Sequence, residues 1–194
     1  MSTESSRLRE VLIERGKVIA IREQSVGTLM IYLKRPITGT VFPRELMVSW
    51  ILISVGSASD FEKYAGIHFY MPAHGDLMRE QECYLDMDEV NEFIDGIDFV
   101  ASTRDTLCES VLERRDLYYA SRENIRIGVY KRAEETSTIP YLALVTGGDI
   151  HFFTTAESKA SDQSSALSAL TGDEFAPIRS LVANALSQLK EIGK

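Results

Sequence analysis

The stretch ECYLDMDEVNEFIDGIDFVA, residues 82–101, changes its period partway along, and that change decides the fold. Residues 82–86 read as a strand. Beyond Asp86 the apolar side chains Val90, Phe93, Ile94, Ile97, Val100 and Ala101 recur at three- and four-residue steps, which lines them up on one stripe of a helix over 88–106. Glu89, Glu92 and Asp95 face away from that stripe. Asp86, with Glu89 three residues on, has the form of a capping box with aspartate as the cap, and acids in a first turn suit the positive end of a helix dipole.

Upstream, Leu8, Val11 and Leu12 predict a short N-terminal helix that Gly16 ends. Period two follows. Residues 17–24 alternate Val18, Ala20 and Arg22 against Ile19, Ile21 and Glu23, and 28–34 put Leu29, Ile31 and Leu33 on one face, with Gly27 as the turn between two strands. The run VSWILISV at 48–55 predicts a central strand covered on both faces, and 67–71 a further strand. Downstream, strands are expected at 112–120, 124–131, 140–146 and 149–155, the last two flanking Gly147-Gly148, a hairpin signal. Residues 156–168, rich in Ser and Ala, read as a loop or weak helix. Ile178, Leu181, Val182, Ala185, Leu189 and Ile192 form a second helical stripe over 174–192, with Pro177 tolerated in its first turn.

The expected fold is α+β, with a mostly antiparallel curved sheet or sheets in two pseudo-repeated halves. Each half, 17–107 and 111–192, ends in an amphipathic helix, and a short N-terminal helix precedes both. The connector 107–111 has neither proline nor glycine, so 1–194 is expected to pack as a single compact unit. Nine strands leave edges that need pairing, which predicts a homodimer.

Charge is concentrated in one place. The 21 Lys+Arg stand against 29 Asp+Glu for a net of −8, and residues 74–98 hold nine acids and one base, so the remainder is neutral. The longest uncharged run, 46–59, is 14 residues, short of the roughly 20 apolar residues of a spanning helix. No apolar stretch follows a basic one near Met1, and Cys83 and Cys108 are expected as reduced thiols, so a cytoplasmic protein without membrane contact is predicted.

The commonest catalytic signatures are missing: there is no Gly-x-Ser-x-Gly, no phosphate-binding Gly-x-x-x-x-Gly-Lys, no dinucleotide Gly-x-Gly-x-x-Gly and no His-Glu-x-x-His. DMDEVN at 86–91 begins like a calcium loop, but its sixth position is Asn91 and its twelfth Ile97. His68, His74 and Asp76 are weak candidates for a metal site, since their spacing matches no zinc signature. Cys83 and Cys108 could act as nucleophiles only beside an activating base.

Two charged poles remain. Asp88, Glu89, Glu92 and Asp95 on the acidic helix would attract a basic protein surface. Residues 112–132 are basic, and Arg126, Tyr130 and Arg132 share one strand face near Arg115, a combination of cations and rings that suits single-stranded nucleic acid. The expectation is a non-catalytic binding or adaptor protein with no cofactor, using the acidic helix. Single-stranded nucleic-acid binding through Arg115, Arg126, Tyr130 and Arg132 is the alternative, and an enzyme with a site of His68, His74, Asp76 and Cys83 the third.

Overall fold

The apolar run at 48–55 lies in β2 (Val41–Ser57), between β1 (Val18–Lys34) and β3 (Asp60–Met71), in a computed structural model. The structure describes residues 5–13, 18–34, 41–57, 60–73, 79–109, 115–131, 138–144, 150–153 and 174–192. β4 (Gln81–Asp86) pairs with β3, and β5 (Arg115–Ala120), β6 (Arg126–Lys131), β7 (Ile139–Ala143) and β8 (Ile150–Phe153) follow one another as a second meander. A ladder, 31–33 against 151–153 among the described residues, joins β1 to β8 and sets the order β4-β3-β2-β1-β8-β7-β6-β5, antiparallel throughout. The protein is therefore α+β with antiparallel strands.

Eight strands are described where nine were expected, because 17–24 and 28–34 are one strand. The register against β2 shifts between Ser25 and Gly27, which pair with the adjacent Ser49 and Val48. Val26 is thus an extra residue of a β-bulge, and Gly27 bends the strand instead of turning it. A Cβ at Gly27 would stand 2.7 Å from Leu181 Cδ2, so a larger residue there would require the Leu181 side chain to shift.

Strand alternation gives the sheet an inner and an outer face. Inner residues such as Trp50, Ile67, Phe69, Leu85, Ile127, Val129 and Leu142 are buried in the main core. Over them lie α2 (Val90–Thr103), against β5 and β6, and α3 (Ala176–Ile192), against β1, β2 and β3. Both stripes read in the sequence turn inward: Val90, Phe93, Ile97 and Val100 from α2, and Ile178, Val182, Ala185 and Leu189 from α3, are buried. After Thr103 the chain tightens into a 3₁₀ segment, Arg104–Glu109. On the outer face α1 (Arg7–Ile13) lies against β3 and β4. Its Leu8 and Val11 form a second cluster with Ile51, Ile53, Val55 and Tyr84, so β2 is covered on both faces as expected. Each such burial is worth about 1.5–3 kcal/mol.

The capping box expected at α2 does not form. Glu89 is the N-cap residue and makes no side-chain cap bond, while the Asp86 carboxylate is committed to a different helix, accepting the backbone N–H of Arg7 (2.9 Å) and Leu8 (3.1 Å). Gly147-Gly148 and 156–168 lie outside the described residues.

Candidate functional site

The acidic segment is largely turned on the protein itself. Asp86 and Glu89 are buried. Arg122, in the turn between β5 and β6, donates to both oxygens of Asp88 (3.0 and 2.8 Å) and to Asp86 (3.2 Å), and its backbone N–H donates to Glu89 Oε1 at 2.8 Å. Asp98 is held in a two-pronged pair by Arg179 of α3 at 2.6 and 2.8 Å. Those hydrogen bonds hold the carboxyls of Asp88 and Asp98 below the usual aspartate range. The expectation that Glu89 belongs to a solvated helix face is thus corrected: it precedes the helix, and the β5–β6 turn covers it. Glu92 and Asp95 alone of the four proposed residues are exposed without an ion pair among the described residues. Phe99, one turn further along the same side, is 59% exposed.

The densest constellation lies where α1, β4 and the β5–β6 turn meet. The turn is set by Asn124, whose φ of 60° is the left-handed conformation that asparagine tolerates, and by its N–H donating to Ser121 O at 2.8 Å. That geometry aims Glu123 at the outer strand. Its side chain, 5% exposed, accepts the forked guanidinium of Arg9 at 2.6 and 3.1 Å, the Ser6 hydroxyl at 3.0 Å and the backbone N–H of Tyr84 at 2.9 Å. Ser6 Oγ in turn accepts the Arg9 N–H at 3.1 Å, as an N-cap residue does. Arg9 also donates to Glu82 O at 2.9 Å and lies 5.1 Å over the Tyr84 ring. Nothing in the sequence pointed to Glu123, since its partners lie 39 or more positions away. Ser6, two residues before Leu8, is a cap signal that the sequence does carry.

His68 stands on the same outer face. Its ring stacks on Tyr84 at 4.6 Å, its Nδ1 is 2.8 Å from Glu23 Oε1, and its buried Nε2 has no hydrogen bond among the described residues and lies 3.7 Å from Glu82 Oε2. Burial first, then Glu82, pushes the Tyr84 hydroxyl up to about 12. Because the two carboxylates address opposite ring nitrogens, they cannot converge with His68 on one metal ion. Among the described residues no three His, Cys, Asp or Glu side chains are placed to hold a metal. His74 and Asp76 lie outside the described residues. Cys83 pairs with Phe69 and faces the core, 1% exposed, whereas the neighbouring His68 faces outward, so the strand alternation keeps thiol and imidazole apart. Cys108 falls in the 3₁₀ segment, its side chain outside the described set.

The basic strands bring Arg126 and Tyr130 to one face, as the alternation required. Arg126 is held by Asn124 Oδ1 at 2.6 Å and lies 5.0 Å over the Tyr118 ring, and Tyr130 meets Tyr141 at 6.2 Å. Arg115 is not among them. It pairs with Lys131 and so stands on the inner side with Leu117 and Tyr119. Arg132 lies outside the described residues. Asp116 opposes Tyr130 in the ladder and accepts the Tyr141 hydroxyl at 2.9 Å, so the face carries both signs of charge, and its Ile139, Tyr141 and Ala143 are buried.

No described helix is long and apolar enough to cross a membrane. Comparison of the chain with family models, curated proteins and solved structures gives no match.

Proposed function

We propose that the chain is a non-catalytic binding protein that takes up a basic protein partner on its acidic surface, with Glu92 and Asp95 as the attracting charges and Asp88 at the rim. One observation supports this most: Glu92 and Asp95, without ion pairs among the described residues, stand on the outward side of α2 beside the exposed ring of Phe99. Unpaired acids steer a basic partner, and an exposed aromatic anchors it. The same reading takes 1–194 as one unit of two like halves, in keeping with two four-strand meanders each followed by a helix. It includes a homodimer, for which β1 residues 18–30, without a partner on the β8 side among the described residues, offer an edge. The reading also includes a cytoplasmic location, in keeping with the buried, reduced thiol of Cys83.

The test uses a labelled amphipathic peptide of Lys and Leu as probe. Glu92→Lys with Asp95→Lys is expected to weaken its binding at least tenfold with an unchanged far-ultraviolet circular dichroism spectrum, Phe99→Ala by less, and wild-type affinity to fall with salt. Unchanged affinity in the charge-reversed chain overturns the proposal. A second reading, single-stranded nucleic acid on the β5–β6 outer face, is favoured by Arg126 lying over Tyr118. An oligonucleotide in the same assay decides it: salt-sensitive binding that Arg126→Ala with Tyr130→Ala removes would replace the protein partner.

A further inference from the structure

The seat of α1 has the make-up of a peptide-binding groove whose occupant is supplied in cis. Its floor is apolar: Leu8 and Val11 enter against Ile51, Ile53 and Val55, and Leu8 Cδ1 approaches so near Gly66 that a Cβ there would stand 2.4 Å away. Its rim is acidic. Asp86 accepts the first helical N–H groups, a contact with the backbone that any helix could make. Glu123 takes the Ser6 hydroxyl and the Arg9 fork, and Glu82 adds its carbonyl oxygen and, at 3.4 Å, its carboxylate. The occupant therefore reads as a pattern: a hydroxyl at the cap, leucine two residues on, arginine three on and a β-branched side chain five on.

α1 is seven residues long, and a helix that short does not persist alone in water. Its helical form therefore depends on the seat, and a short segment of this kind is expected to open locally before the sheet unfolds.

We propose that this groove exchanges α1 for an amphipathic helical segment of a partner protein carrying the same pattern, an assignment that rests on the basic-partner reading above and names a second place where such a partner is held. α1 is then a resident competitor. The groove's affinity for a segment in trans is reduced by the fraction of molecules in which α1 is seated, and whatever loosens α1 raises it.

The experiment titrates a labelled peptide of sequence SSRLREVLI, residues 5–13, into the full chain. Leu8→Ser in the chain is expected to bind the peptide at least tenfold more tightly than wild type, and adding Glu123→Gln to that chain to lose most of the gain. A peptide with Arg9→Glu is expected not to bind. Equal affinity of the wild-type and Leu8→Ser chains, both with the wild-type circular dichroism spectrum, overturns the proposal. Should Leu8→Ser fail to fold, Arg9→Ala in the chain keeps the apolar anchors and reads in the same direction with a smaller fold-change, and no gain there is equally decisive. A wild-type dimer that the peptide dissolves would assign the groove to a second copy instead of a partner. Glu92→Lys with Asp95→Lys is expected to leave the peptide's affinity unchanged, so failure at α2 and failure at this groove are told apart.

Discussion

Glu89 has one carboxylate oxygen bonded to the Arg122 N–H and the other buried without a hydrogen bond among the described residues. Burial, with Asp86 adding to it, raises its pKa above the ordinary glutamate range, against the opposing pull of Arg122. A carboxyl whose pKa rises on folding binds its proton more tightly in the folded state. Its favourable contribution is complete below the ordinary value and is lost as pH rises through the folded one. Glu89→Gln keeps an acceptor for the Arg122 N–H and has no charge to desolvate. It is expected to match wild type near pH 4 and to exceed its stability at pH 7, read by urea denaturation at both values. Asp88 and Asp98 run the other way: their stabilisation is present above the ordinary aspartate range and is lost as pH falls through their depressed values. None of this was legible at 89, since a helical wheel sorts a residue by its own helix and the group that covers Glu89 arrives 33 positions later.

The elements themselves were far more legible, because a period of 3.6 or 2 is a local property. Of the α2 stripe, Val90, Phe93, Ile97 and Val100 are buried and Ile94 and Ala101 half-buried, and β2 is covered on both faces. What failed at this scale was Gly27, where bulge and turn share one sequence signal and only the register separates them. Gly96 shows a different hidden constraint. A Cβ there would come within 2.6 Å of the Tyr119 ring, while Tyr119 itself meets Phe93 edge-on at 5.7 Å. Alanine gains about 1 kcal/mol of helix propensity, but overpacking against a ring fixed on its other side costs about 1–3 kcal/mol. Gly96→Ala is therefore expected to lower stability in chemical denaturation, and a gain would show that Tyr119 can swing clear.

At the scale of the whole molecule, the charge of −8 is not a broad field, because Arg122 and Arg179 are paired with the segment that carries it and Arg9, held mainly by Glu123, also reaches its Glu82. Arg122 is the hub, reaching Asp86, Asp88 and Glu89 from the far end of the sheet order. Removing one partner of a fully buried pair costs about 3–5 kcal/mol. Arg122 is 31% exposed, so Arg122→Ala is expected to cost less, about 1–3 kcal/mol, and thermal unfolding at low and high salt measures it. Among the described residues no backbone ladder joins β4 to β5, and these charges with Glu123 bridge the two instead. The ladder of β1 with β8 is the complementary joint: three residue pairs among the described residues, between the first and the last of the described strands. Each meander can assemble from neighbouring hairpins, whereas this joint must close a loop of most of the polypeptide before it returns any contact. The expected order of assembly is two meanders early and their seam last, with the refolding rate governed by the seam.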